Sequence, residues 1–208
     1  MTMQGPPWDQ RLASILVRPL AKTPVTPNQV TVFTLLVAWA GAGLLAVGDP
    51  LLANWGAGIF VLARFLDHFD GELARQTGRK SKLGYYLDYL SGAGSYGALF
   101  LCMGIGFRDS DLGVWTIVLG AAGTVSAVIS MFINLGIDKA QDLADGQACG
   151  YPGFLGFELE DGIYLLAPVT WLGFLYPFFV AAGIGATVYT LWSLWTLVRL
   201  RGQARTRG

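Results

Sequence analysis

The stretch 67-DHFDGELARQTGRKSKLGYYLDYLSG-92 is the most charged and polar segment of a chain that is otherwise largely apolar. Apolar runs flank it on both sides, so it lies where two hydrophobic helices would meet water. Asp67 and Asp70 are three residues apart and share a face if the segment is helical. Gly71 and Ala74 keep one side of the same turn small, which lets a ligand or a neighbouring helix approach the backbone. Arg75 adds a cation one turn beyond Asp70. After a basic loop, Gly84 and Asp88 stand one turn apart at the start of the next run. Antiparallel neighbours joined by so short a loop are expected to bring Asp88 towards Asp67 and Asp70. Carboxylates gathered near a bilayer are costly unless something neutralises them. Hard oxygen donors from two helix ends suit Mg2+, Mn2+ or Ca2+. Two such ions about 4 Å apart would neutralise a pyrophosphate and stabilise attacking and leaving oxygens. The competing interpretation is structural, with the acids neutralised by the loop's own lysines and arginines.

Composition sets the fold class. Of 208 residues, 53% are hydrophobic and 13% charged, against about a quarter charged in soluble domains. The expectation is an all-α integral membrane protein forming a single domain over residues 1–208, with six transmembrane helices and a short N-terminal interfacial helix. The interfacial helix is placed at about residues 8–22, where Leu12, Ile15, Leu16 and Leu20 could share a face and Pro19 limits the length. A span needs about 20 mostly apolar residues. The spans are placed at about residues 29–48, 51–70, 83–107, 112–137, 160–176 and 178–200. Thr26 and Pro27 suit the start of the first. "GDP" at 48–50 and "RDSD" at 108–111 read as turns. The apolar run 163–200 is too long for one crossing, and Gly173 and Pro177 offer a break.

Basic residues set the orientation. With an internal N-terminus, one side receives Arg11, Arg18, Lys22, Arg75, Arg79, Lys80, Lys82, Lys139 and the C-terminal arginines, and the other Arg108. Both termini and the acidic motif are expected to face the cytoplasm, in a bacterial inner membrane. The start of the chain lacks the pattern of a cleavable signal. No nucleic-acid partner is expected. Cys102 and Cys149 have no metal-ligand spacing and read as small buried residues.

Asp67-x-x-Asp70-Gly71-x-x-Ala74-Arg75, eight residues, Gly84, three residues, Asp88 resembles the signature of the CDP-alcohol phosphotransferases (CDP-alcohol phosphatidyltransferases). "TPNQVT" at 26–31 is similar to that family's lead-in to its first span. The resemblance implies a six-helix membrane enzyme in phospholipid biosynthesis. An acceptor hydroxyl would attack the β-phosphorus of a CDP-linked alcohol and release CMP. It implies metal ligation, by Mg2+ or Mn2+ and as two ions, at Asp67, Asp70 and Asp88. It places the CMP site at Gly71, Ala74, Arg75 and Gly84.

The chain departs from the pattern at one position. The signature ends in a fourth aspartate, a metal ligand and the proposed base for the acceptor hydroxyl, and Gly92 stands there. Three explanations compete. The base is relocated to Glu158, Glu160 or Asp161 of "FELEDG", which lies on the motif's side in this topology. Alternatively, Gly92 marks a degenerate, non-catalytic CDP-binding protein. Or the acceptor needs no protein base. The ordinary interpretation of "FELEDG" is an acidic helix start favoured by the helix dipole. A membrane prenyltransferase is a further alternative, disfavoured by the Gly-x-x-Ala-Arg portion.

Smaller signals remain. His68 is expected to make a packing or hydrogen-bond contact, and Arg64 to point towards the polar cavity or to snorkel. Arg79, Lys80 and Lys82 either contact substrate phosphates or anchor the helix end. Trp192 and Trp195 look like interfacial anchors. Gly92, Gly94 and Gly97 with Ala93 and Ala98 allow tight helix packing, and glycine- and alanine-bearing faces permit a homodimer.

Overall fold

The computed structural model describes residues 8–140 and 159–205, and all regular structure among them is helical. The order is α1 (Trp8–Leu16), a 3-10 turn (Leu20–Lys22), α2 (Pro27–Leu45), α3 (Pro50–Thr77), α4 (Lys82–Gly106), α5 (Val114–Ala140), a 3-10 stretch (Leu159–Leu165), α6 (Leu166–Trp171) and α7 (Leu175–Arg205). Three of these carry a segment long and apolar enough to cross a membrane: Pro27–Leu45, Val114–Ile137 and Leu175–Arg199.

Local chemistry explains where the helices begin. Thr26 and Gln29 form a reciprocal capping box at the start of α2, with Pro27 in the first turn. Asp49 caps α3 by accepting from the Leu52 N–H at 2.9 Å, and Ser81 caps α4 by accepting from Gly84 at 2.9 Å. Gly78 ends α3 at φ 67°, a left-handed conformation that glycine adopts without a side-chain clash.

α2 is the shared support of the fold. α3 packs along it, and so does α4, while α5 packs on α4 and α7 on α5. The approach of α2 to α3 is close because both helices carry glycine at the crossing. A Cβ on Gly56 would lie 2.6 Å from the Gly41 carbonyl oxygen. Gly56→Leu is therefore expected to destabilise the fold by at least about 1–3 kcal/mol, as overpacking does. A fall in the detergent-solubilised unfolding midpoint, relative to the exposed control Leu51→Ala, is the measurement. Gly94 and Gly97 are also used within the chain, against Leu35 with Trp39 and against Thr124. The core gathers Phe60, Leu99, Phe100, Met103, Leu166 and Phe179.

The short loop brings Asp88 to Asp67 and Asp70 as expected, yet α3 and α4 do not pack on one another at the motif. Each lies against α2, and their side chains meet deeper, where Phe60 and Arg64 reach the Tyr96 ring at 6.4 and 5.0 Å. The gap between them is the cavity described below. One expectation is revised: the segment expected as a fifth span is not one continuous helix. It is a 3-10 stretch followed by six residues of α-helix, and the chain turns at Gly173, φ 81°. α1 seats itself through Asp9 and Ala13, with Val17 just after it, while Leu12, Ile15 and Leu16 are exposed together.

Candidate active site

α3 places Asp67 and Asp70 on the face turned towards α2. α2 meets them with two threonines one turn apart. Thr31 Oγ1 donates a short hydrogen bond to Asp70 Oδ2, and Thr34 Oγ1 donates to Asp67 Oδ1 at 3.3 Å. Asp70 also accepts from the Gly71 N–H. Arg64, one turn before Asp67, donates to its Oδ2 at 2.9 Å and lies over the Tyr96 ring. Asp70 and Arg64 are each 8% exposed. α4 brings Asp88 from the other side of the gap, and it is exposed. One carboxylate oxygen from each of Asp67, Asp70 and Asp88 lies within 4.8 Å of the other two.

Three carboxylates this close repel one another. Arg64 brings its positive charge to Asp67, and hydroxyl donors to Asp67 and Asp70 relieve lone pairs without removing charge. Among the described residues, Arg75 and Arg79 of the loop do not pair with Asp67 or Asp70. Arg75 instead pairs with Glu72 at 2.7 Å, and Arg79 donates to the Val25 carbonyl at 3.4 Å. A divalent cation fits the donor set. Oxygen ligands at about 2.0–2.6 Å from one ion lie up to about 4–5 Å apart, which is the observed span.

A cavity of about 1220 Å³ opens over the acids. Gly71, Ala74, Arg75 and Gly84 all line it, as do Arg79, Lys80 and Lys82. Gly84 lies close to α2, where a Cβ would come 2.9 Å from Asn28 Oδ1, so a larger residue would require that side chain to move. The far wall comes from α5 and α7. There Ser130 and Thr190 hydroxyls are 2.8 Å apart, and Asn134 Nδ2 donates to the Tyr189 hydroxyl at 3.2 Å. Gly92 lines the cavity too, and a Cβ added there would meet nothing within 4 Å.

Of the acids expected to replace the missing aspartate, Glu158 lies outside the described residues. Glu160 and Asp161 fall in the 3-10 stretch, but their side chains lie outside the described set. Their neighbours Gly162 and Ile163 line the cavity. His68 makes the hydrogen-bond contact expected of it, to Asp9 at 2.8 Å. Sequence reasoning missed Thr31, Thr34, Asn28 and Asp9. The signal for the threonines was a polar pair at helical spacing inside an apolar run.

A model of the CDP-alcohol phosphatidyltransferase family matches residues 24–198. The bifunctional IPC transferase and DIPP synthase of Thermococcus kodakarensis is 46% identical over 79 residues, 38% of this chain and 17% of that protein. The archaetidylinositol phosphate synthase of Pyrococcus horikoshii is 38% identical over 69 residues, 33% of this chain and 35% of that protein. The chain thus spans about a sixth and about a third of those two relatives. The Mycobacterium tuberculosis phosphatidylinositol phosphate synthase with CDP-DAG bound superposes with a TM-score of 0.63 at 23% identity, covering 92% of each chain. The same enzyme in complex with manganese and citrate gives 0.58 at 23% identity, covering 91% of this chain and 87% of that one. That likeness establishes a shared fold, and the family match runs through the acid-bearing helices and most of the chain besides: the protein belongs to the CDP-alcohol phosphatidyltransferase family.

Proposed function

We propose that the protein transfers a phosphoalcohol or phosphatidyl group from a CDP-linked donor to a hydroxyl acceptor, in phospholipid biosynthesis. The observation that carries this is the meeting of three carboxylates at the wall of a large cavity. Asp67, Asp70 and Asp88 would hold two divalent ions, Mg2+ or Mn2+. Such ions supply neutralisation of the diphosphate and of the charge that develops on the leaving group. Gly71, Ala74, Arg75 and Gly84 would receive the CMP moiety, with Arg79, Lys80 and Lys82 at the rim available to its phosphates. The acceptor oxygen bonds to the β-phosphorus, the bond from that phosphorus to the bridging oxygen breaks, and CMP leaves with the electron pair. The acceptor's proton goes to a carboxylate, which we assign to Glu158, Glu160 or Asp161. Asp88 acts beside it as a ligand.

The reading includes a membrane setting. α2 to α5, the short helix pair before Gly173, and α7 would make six passes in a bacterial inner membrane, with α1 at the interface. Both termini and the acids would face the cytoplasm. A second reading, a CDP-binding protein without turnover, is favoured by Gly92 alone.

The test is CMP release by purified protein from a panel of CDP-donors and acceptors. Turnover should require Mg2+ or Mn2+, vanish on chelation and return when the metal is restored. Nucleotide binding without CMP release for any pair would leave only the second reading.

A further inference from the structure

The chain buries an acid that the metal site does not use. Asp9 of α1 is 3% exposed. Its Oδ2 accepts from His68 Nε2 at 2.8 Å and from the Tyr164 hydroxyl at 3.0 Å, and its Oδ1 accepts from the Gln10 N–H at 2.8 Å. Trp8 packs on Tyr164, with ring centroids 5.3 Å apart. Ala13 and Val17 seat the rest of α1 against Phe69 and Leu73 of α3.

One carboxylate therefore ties three segments together: α1, the motif-bearing part of α3, and the stretch Leu159–Leu165. An amphipathic surface helix has no need of a buried acid. Such a group is costly unless its lone pairs are met, and here they are met by groups from two other segments. Both segments border the cavity, through His68 on one side and Gly162 with Ile163 on the other.

We propose that Asp9 is a positioning residue for the transfer. It holds the 159–165 wall at a fixed distance from the acid-bearing turn of α3, and so sets where the acceptor hydroxyl lies. This rests on the transfer reading above.

The test is kinetic. Asp9→Ala should lower kcat by about ten- to a hundredfold, the size of effect that a misplaced reactant produces. It should raise the acceptor KM while leaving Mg2+-dependent CDP affinity within about twofold, a split that general loss of structure would not give. Asp9→Asn retains an oxygen able to accept from both His68 and Tyr164, and should restore most of the activity. Tyr164→Phe removes one hydroxyl and should reproduce the acceptor defect in a folded protein. An active wild type whose Asp9→Ala and Tyr164→Phe variants keep kcat and acceptor KM overturns the proposal alone. So does a parallel loss of CDP affinity in both variants. A wild type that releases no CMP overturns the transfer reading, and this one with it.

Discussion

Asp88→Asn should abolish transfer, lowering CMP release by about a thousandfold or more, at the upper end of what loss of one charge-stabilising group costs. The amide keeps the shape of the carboxylate but removes its charge and half of its acceptor capacity. The three acids differ in a way that makes this position the informative one. Asp67 and Asp70 are tied to Arg64, Thr34 and Thr31, so changing them disturbs the α2–α3 contact as well as the site. Asp88 is exposed on α4, so its neutralisation should disturb packing less than a change at the two more buried acids. Mg2+-dependent affinity for the CDP-donor should fall together with turnover. Normal turnover in the purified variant would refute the metal assignment.

The second large effect concerns the missing aspartate. General acid–base assistance contributes about 10²–10⁴-fold, so a relocated base and a degenerate site, two of the three explanations of Gly92, differ by orders of magnitude. The open space around a Cβ at this position means that Gly92→Asp can be made without overpacking. If the base has moved to Glu158, Glu160 or Asp161, the added acid should change turnover by less than about threefold. Neutralising the responsible one, by Glu158→Gln, Glu160→Gln or Asp161→Asn, should then cost a hundredfold or more. A large gain from Gly92→Asp would identify a degenerate site. Three neutral variants with full activity would end the relocation idea. CMP release under identical metal and substrate concentrations measures all four.

Much of this architecture was legible in the residues because its determinants are local. Apolar runs separated by "GDP", the basic loop and "RDSD" mark helices whose starts carry caps at Thr26, Asp49 and Ser81. The helix α3 runs on to Thr77, beyond the expected span end at residue 70, because hydropathy marks a bilayer's thickness whereas Gly78 marks where the helix stops. Residues 163–200 carry no such punctuation except near Gly173. The 3-10 stretch Leu159–Leu165 straddles the acidic residues before that run and its first apolar ones, and seven residues of either kind do not distinguish 3-10 from α geometry. In the site, Asp67, Asp70 and Asp88 announce themselves by spacing across two adjacent helices. Thr31, Thr34 and Asp9 do not. Their partners lie 39, 33 and 155 residues away in sequence for the Asp70, Asp67 and Tyr164 contacts, and only the fold brings them together.

The gap between the two acid-bearing helices has one further implication. Neither wall leans on the other near the motif, so the separation of Asp88 from its two counterparts is inherited from a third helix that contributes no ligand. On the proposed reading, selectivity among cations of different radius would be governed by the rigidity of that strut. The signature's own residues would supply the charge, and the threonine-faced span beside them would act as the calliper.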